Sequence, residues 1–215
     1  MEIYFVRHGE TDWNREKRIQ GQVDIPLNEF GISLAEKTGI GMADVAFDAC
    51  ISSDSIRAYE TAKIILKGRD ITIETDERLR EMAFGEDEGK FFLGENKNIS
   101  DEFDLFFTDP VAYRAAPGGE NFDDVKERVA LFLEDLEKRE NLRDSTVLIA
   151  THGATLCGIV NVLKNLPTKK YWGKGVHKNC AVTHVEYKDD AWHILSENVV
   201  YYDDEVPSWG DNLYK

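Results

Sequence analysis

The sequence predicts an α/β fold of three layers, α/β/α, with a mostly parallel sheet covered by helices on both faces. Two observations predict this fold. Segments 2–6 and 145–151 are apolar on both faces, which is typical of buried parallel strands. Such segments alternate along the chain with segments like 122–139, where apolar residues recur at helical spacing. The 215 residues fit one domain, 1–215, because one core can serve up to about 250 residues.

The predicted elements alternate through most of the chain. Strands are expected at 2–6, 48–52, 71–75 and 145–151, and helices at 31–42, 55–67, 122–139 and 153–165. Asp54 is the expected N-cap of the helix over 55–67. Two last strands, near 180–187 and 191–198, are expected to be antiparallel across the turn Lys188-Asp189-Asp190.

The segment from about 86 to 120 differs from the rest of the chain. It has weak periodicity, many aromatic residues and the tripeptide Pro117-Gly118-Gly119. We interpret it as an irregular insertion or lid over one end of the sheet, within the same domain. Its aromatic residues are expected to form the core of the lid, with a box for an apolar or aromatic leaving group as the alternative: Phe91, Phe92, Phe103, Phe106, Phe107 and Tyr113.

Composition limits the partners that the chain is expected to have. The net charge of −15 disfavours nucleic acid and anionic lipid. No segment approaches the ~20 apolar residues of a membrane helix, and no signal peptide pattern is visible. Cys50, Cys157 and Cys180 lack CxxC spacing and lie among apolar residues, which indicates buried free thiols in a reducing compartment, the cytoplasm.

The carboxyl-terminal segment leaves oligomeric state open. We interpret residues 203–215 as a surface tail, whose Trp209 and Tyr214 dock on the body or on a second subunit. A second copy of this chain, bound through the tail or through the sheet edge to form a homodimer, is therefore one candidate partner.

Polar residues stand where three predicted strands end. Arg7-His8-Gly9 ends the first, Ser53 ends the second with Arg57 one helical turn later, and His152-Gly153 ends the fourth. Ligands of open parallel sheets bind beyond the carboxyl ends of the strands, so two arginines and two histidines are expected in one crevice. A glycine after each histidine permits close approach of backbone and ligand.

This set of side chains suits a phosphoryl group. Arginine offers a planar fork for phosphate oxygens, and a neutral imidazole is a nucleophile near pH 7. Glu81, just past the strand at 71–75, is placed to protonate the departing oxygen. No Cys or carboxylate spacing completes a zinc site with His177, His184 and His193, so no metal is expected, although His177 is in a loop that can reach the pocket.

Six motifs occur in order across most of the chain. They are RHGETDWN, RIQGQVDIPLNEFG, SIRAYETA, LREMAFGEDEG, PGGEN and THG. Together they resemble the histidine phosphatase superfamily, also called the phosphoglycerate mutase-like family. The resemblance implies the phosphoglycerate mutase-like version of the predicted fold, and catalysis without a metal or other cofactor.

The resemblance also implies a role for each matching residue. His8 is expected to be the nucleophile that becomes phosphohistidine, and Glu81 the general acid that later activates water. Arg7, Arg57 and His152 are expected to complete the phosphate pocket. Further contacts to the phosphoryl group or the substrate are expected from Asn14, Gln20, Gly21 and Gly153.

Two features are similar to the phosphatase branch of the family. RIQGQVDIPLNEFG resembles its RxQGxxDxPLxxxG pattern, and NCAVTHVEY resembles its NCSIT-type strand. The insertion has Arg114 but no adjacent Arg pair to grip a substrate carboxylate, as mutases have. We therefore expect a phosphatase acting on a small phosphorylated metabolite. A cofactor-dependent phosphoglycerate mutase, and a phospho-ligand or protein-binding member with little catalysis, remain as alternatives.

One position departs from the phosphatase pattern. The family commonly has Gly-x-Trp-Glu-Gly after the acid, whereas this chain has Asp87 at the position of the Trp. We expect this change to remove an aromatic wall and to add negative charge near the mouth of the pocket.

Overall fold

A computed structural model of the protein describes residues 1–206, and within them one six-stranded sheet has the order β3-β2-β4-β1-β5-β6. The strands are β1 (Glu2–Arg7), β2 (Ala49–Ser52), β3 (Ile73–Thr75), β4 (Thr146–Thr151), β5 (Val182–Lys188) and β6 (Ala191–Val199). The four strands β1, β2, β3 and β4 are parallel to one another, whereas β5 is antiparallel to β1 and β6 is antiparallel to β5. The predicted mostly parallel sheet is confirmed.

The helices cover both faces of this sheet. They are α1 (Asp12–Glu16), α2 (Glu29–Gly41), α3 (Ile56–Ile65), α4 (Leu105–Thr108), α5 (Phe122–Glu137) and α6 (Gly153–Leu163). Alternate side chains of β1 and β4 point to opposite faces, as strand geometry requires. Phe5 and Ile149 pack in the cluster that contains residues of α5 and α6, and Val6 and Ala150 pack in the cluster that contains residues of α3. The three-layer architecture follows from this alternation.

Two local predictions need correction. Ser55, not Asp54, is the N-cap of α3, and the Asp54 carboxylate instead accepts two hydrogen bonds from Arg80, at 2.8 and 2.5 Å. The third strand is shorter than 71–75, since β3 begins at Ile73. β3 lies at one end of the strand order and pairs only with β2 among the described strands, so fewer partners hold its first residues.

The lid is continuous with the main core. Phe103 and Phe106 stack with ring centroids 5.1 Å apart, and Phe106 stacks on Phe122 of α5 at the same distance. The indole N–H of Trp172 donates to the carbonyl oxygen of Phe106 at 2.7 Å. These contacts tie the lid to α5 and to the loop after α6.

The segment after β6 starts on the body of the protein. Tyr202 and Val206 are buried against Leu34 and Ala35 of α2. Trp209 and Tyr214, for which docking is predicted, lie outside the described residues.

Cysteine, histidine and membrane predictions can be compared with the described part of the chain. Cys50, Cys157 and Cys180 are buried free thiols, as predicted. His184 stacks on Tyr4 with ring centroids 4.0 Å apart, and His193 is exposed. Within residues 1–206 there is no group of three or more side chains that could hold a metal ion, and none of the helices there is long and apolar enough to cross a membrane.

Candidate active site

A pocket opens at the carboxyl ends of β1, β2 and β4, where the sequence predicts that the catalytic groups converge. The empty space in it is about 570 Å³, which includes open solvent at the mouth. Its wall includes Arg7, His8, Asn14, Gln20, Gly21, Arg57, Glu81 and Gly153. His152 lies behind this wall rather than on it.

The orientation of His8 determines which of its nitrogens is available. Nδ1 lies 2.6 Å from the carbonyl oxygen of Gly9. A carbonyl only accepts, so Nδ1 carries the proton and Nε2 holds the lone pair. Burial, followed by the charges of Arg57 and Arg7, lowers the pKa of His8 well below its usual value. The ring is therefore a neutral imidazole at pH 7, the nucleophilic form.

Two buried arginines are fixed beside His8 by backbone carbonyls. Arg57 donates to the carbonyl oxygens of Val23 and Gly21, at 2.9 and 2.7 Å, and Arg7 donates to that of His177 at 2.5 Å. The Nε atom of each arginine is buried and has no hydrogen-bond partner within residues 1–206. Burial lowers the pKa of Arg7, and that of Arg57 to about 10, which leaves both charged at pH 7. Two fixed cations with unused donors form a site for an anion.

His152 supports His8 from behind the pocket. Its ring centroid is 5.1 Å from that of His8, and its Nε2 is 2.9 Å from Ser53 Oγ. Burial and the charge of Arg57 lower the pKa of His152 well below its usual value. Its Nδ1 finds no partner in the part of the chain that the structure describes. His152 is thus neutral and held by Ser53, a residue to which the sequence assigns no site role.

Glu81 sits on the first turn of α6. Its Oε1 accepts from the Thr155 N–H at 3.0 Å and its Oε2 from the Ala154 N–H at 3.2 Å. Amides at the start of a helix lack intrahelical partners, so these two are free to donate to Glu81. The strand–helix connection at His152 therefore positions Glu81 as well as the second histidine.

A polar network behind Glu81 fixes the segment that carries it. Thr155 Oγ1 lies 3.2 Å from Glu81 Oε1. Glu120, in PGGEN, accepts from the Ala83 N–H at 2.8 Å and donates its own N–H to the Ala83 carbonyl at 2.8 Å. Arg128 of α5 donates to both carboxylate oxygens of Glu120. PGGEN is one of the motifs that carry the family resemblance, but the sequence assigns no role to Glu120, and these tertiary contacts reveal one.

The remaining predicted contacts line the pocket in different ways. Asn14 forms a capping box with Thr11, so that it stabilises α1 while its side chain is buried at the pocket wall. Gln20 is also buried, and its Oε1 has no partner among the residues described. Gly21 has φ of +52°, and a Cβ there would lie 2.0 Å from Glu88 Oε1. Its carbonyl holds Arg57, so this glycine shapes the anion site through its backbone.

Aromatic side chains form another part of the lining of the same pocket. Phe84, Phe92, Phe106, Phe107 and Trp172 line it, and all five also belong to the main hydrophobic core. From the sequence, the core of the lid and a box for the leaving group are alternative roles for these residues. In the structure, Phe92, Phe106 and Phe107 belong to the core and also line the pocket. Trp172 has no local signal in the sequence, because a loop after α6 brings it to the lid.

Asp87, which is expected to add negative charge near the mouth of the pocket, is paired with a lysine. Asp87 does not line the pocket, and its carboxylate pairs with Lys90 at 2.7 Å. The pocket retains an aromatic wall, because residues elsewhere in the lid and the Trp172 loop supply it.

The chain belongs to the histidine phosphatase superfamily. The model of the histidine phosphatase superfamily (branch 1) matches residues 3–200. The chain is 30% identical over 200 residues to the probable phosphoglycerate mutase GpmB of Escherichia coli O1:K1 / APEC, with 89% of this chain and 87% of that protein covered. The predicted family membership is confirmed.

Solved structures agree with this family and fold. Bacillus stearothermophilus YhfR superposes with a TM-score of 0.85 and 36% identity, covering 93% of this chain and 98% of that chain. A mycobacterial glucosyl-3-phosphoglycerate phosphatase superposes with a TM-score of 0.82 and 26% identity, covering 92% and 98%. By name, these relatives include a phosphatase and a probable mutase.

Proposed function

We propose that the protein is a metal-independent phosphatase that hydrolyses a small-molecule phosphate monoester through a phosphohistidine on His8. The observation that carries this proposal is the pairing of a neutral His8, protonated on Nδ1, with two buried arginines whose Nε donors are unused. A nucleophile and an anion site then share one pocket. Arg7 and Arg57 already supply positive charge, so the proposed reaction needs no metal.

The proposed reaction has two steps in which atoms and protons balance. In the first, His8 Nε2 attacks phosphorus, the N–P bond forms, and the ester P–O bond breaks as Glu81 donates a proton to the leaving oxygen. In the second, Glu81 takes a proton from water, whose oxygen attacks phosphorus and breaks the N–P bond. Inorganic phosphate and free His8 result, while Arg7 and Arg57 stabilise the charge on the transferring group.

A mutase is the second candidate, because the E. coli relative is named a probable phosphoglycerate mutase. A mutase must hold a carboxylate and keep water from the phosphohistidine. The aromatic residues of the pocket offer no charge to a carboxylate, and Arg18, which also lines the pocket, is engaged by Glu16 and by the Gly89 carbonyl. This arrangement supports hydrolysis instead. For localisation we propose the cytoplasm, on the ground of three buried free thiols.

Phosphate release with a chelator present tests the main proposal. We expect release from a generic aryl phosphate, and a label on His8 from a reactive phosphoryl donor. The His8→Ala variant should lose both, while the control His193→Ala, which changes an exposed histidine on β6, should keep both. Interconversion of phosphoglycerates that depends on a 2,3-bisphosphate, without phosphate release, would support the mutase instead.

The role of Glu81 has a test of its own. A leaving group that departs easily needs little protonation, and an alkoxide needs much. Glu81→Gln should therefore lower kcat/KM by about 100-fold or more for an alkyl phosphate, and much less for 4-nitrophenyl phosphate. Equal losses for both esters would mean that Glu81 does not act as the acid.

A further inference from the structure

The lining of the pocket has two chemically different parts. One part carries His8 and the two arginines, and the other is built from aromatic rings. Those rings come from two separate parts of the chain: Phe84, Phe92, Phe106 and Phe107 from the lid region, and Trp172 from the loop after α6. We call these five side chains the aromatic wall.

The aromatic wall is packed in place. The centroid of Phe106 is 4.8 Å from those of both Phe107 and Trp172, in edge-to-face arrangements. Phe92 lies 5.9 Å from Phe107. Rings at these distances restrain one another, so the wall is a preformed apolar surface for a ligand.

The aromatic wall also lacks polar groups for a ligand. The indole N–H of Trp172, its polar atom, already donates to the Phe106 carbonyl. Among the described residues that line the pocket, the charged side chains beyond Arg7 and Arg57 are Glu81 and Arg18. Arg18 lies over the rings of Trp13 and Phe91, at 4.1 and 5.1 Å, and donates to the Gly89 carbonyl.

From this geometry, and resting on the proposed phosphatase activity, we infer that the substrate is the phosphate monoester of a flat, uncharged, apolar alcohol or phenol. Its phosphoryl group binds Arg7 and Arg57, and its leaving group packs against the aromatic wall. Hydroxyl or carboxylate groups on the leaving group would lose water there without gaining partners, which is costly. The substrate class therefore differs from phosphoglycerates, which carry a carboxylate beside the phosphate.

A matched set of alkyl esters tests this inference without changing the bond that breaks. We would compare kcat/KM for 2-phenylethyl phosphate with that for glycerol 3-phosphate and 3-phosphoglycerate. Burial of one aromatic ring should favour the phenylethyl ester by about 10- to 100-fold. Equal values, or a preference for either polar ester, would overturn the inference while leaving the phosphatase activity in place.

Two phenylalanines of one cluster give a variant and its control. Phe107 lines the pocket, whereas Phe103 packs on it at 6.1 Å and is buried behind. Phe107→Leu should lower the ratio of kcat/KM for phenylethyl over glycerol phosphate several-fold, and Phe103→Leu should keep the wild-type ratio. Thermal unfolding of both variants verifies that each is folded. Equal ratios in the two variants would show that the wall does not select the leaving group.

The two proposals fail in distinguishable ways. If no ester, including the aryl phosphate, releases phosphate and His8 takes up no label, the phosphatase proposal and this inference fall together. If release occurs and His8 is labelled but the apolar ester has no advantage, only the inference on substrate class is overturned.

Discussion

His8-Gly9 and His152-Gly153 are the same dipeptide at the ends of neighbouring parallel strands. Arg7, the last residue of β1, pairs with Thr151, the last residue of β4. Both histidines are buried, and burial lowers both pKa values. His8 nevertheless lines the pocket, whereas His152 lies behind it and contacts Ser53.

The difference arises from the segment that comes after each strand. After β1 the chain enters a loop, and the Gly9 carbonyl lies close enough to accept the proton of His8 Nδ1. After β4 the chain begins α6 at once, and the amides of its first turn bind Glu81. In the proposed mechanism, one dipeptide therefore presents the nucleophile, and the other supports it and anchors the acid. The dipeptide alone does not separate these roles, because both histidines stand at a strand end before a glycine. The motif resemblance is what predicts that His8 is the nucleophile.

The largest expected effect separates the two histidines directly. His8→Ala should remove the nucleophile and lower kcat by about 10⁴-fold or more, whereas His152→Ala should lower it by about 100-fold, as for one electrostatic contact. Steady-state kinetics on an aryl phosphate measure both. Equal losses, or a greater loss in His152→Ala, would reverse the assignment.

The two glycines should respond differently to an added methyl group. A Cβ on Gly9 would lie 2.6 Å from the backbone oxygen of Gly31, which cannot easily move. A Cβ on Gly153 would meet side chains, with Val176 Cγ1 at 2.9 Å and Arg7 Nε at 3.3 Å. We expect Gly9→Ala to lower the free energy of unfolding by about 3 kcal/mol and Gly153→Ala by about 1 kcal/mol.

Urea denaturation measures these stabilities, and kinetics complete the comparison. Gly153→Ala should fold but raise KM, because the added methyl group lies against Arg7. If Gly9→Ala were as stable as the wild type, the close contact with Gly31 would be absent in solution.

Low pH should reduce the free energy of unfolding, because the folded protein buries neutral histidines. Burial lowers the pKa of His177 from its usual 6.5 to about 4. Between these pH values the unfolded chain binds a proton that the folded chain does not, so stability is lost as pH falls. His177 alone should contribute about 2 kcal/mol to the loss between pH 7 and pH 5.

A matched pair of variants isolates this effect. Between pH 7 and pH 5, His177→Gln should lose about 2 kcal/mol less stability than the wild type. His193→Gln, at an exposed position, should lose as much stability as the wild type. His8 and His152 contribute in the same direction, so a residual pH dependence is expected in both variants. An unchanged pH dependence in His177→Gln would contradict the burial of a neutral ring.

The smallest expected effect concerns the support of His152. Ser53→Ala removes the oxygen that lies 2.9 Å from His152 Nε2. A single hydrogen bond of this kind is worth about 1 kcal/mol, so kcat/KM should fall about five- to tenfold. The same change in a His152→Ala background should have little further effect, and additive losses would show that Ser53 acts independently of His152.

Much of the fold is predictable because its signals are local. The apolar runs of β1 and β4 and the helical periodicity of α5 are visible in the sequence, and their observed bounds differ from prediction by one or two residues. The cap of α3 is an exception. Asp54 has the right side chain for an N-cap, but Arg80, 26 residues away, binds its carboxylate more strongly than a helix amide would.

The sequence by itself determined the chemistry that is available: two histidines and two arginines at strand ends, one carboxylate, and a lid rich in aromatic residues. It also determined the mostly parallel sheet that gathers the strand ends. Only the tertiary structure decided which histidine lines the pocket, that Thr155 and Glu120 hold the segment of Glu81, and that Trp172 joins the lid. These depend on hydrogen bonds and ring contacts between residues far apart in the chain, which no local pattern encodes.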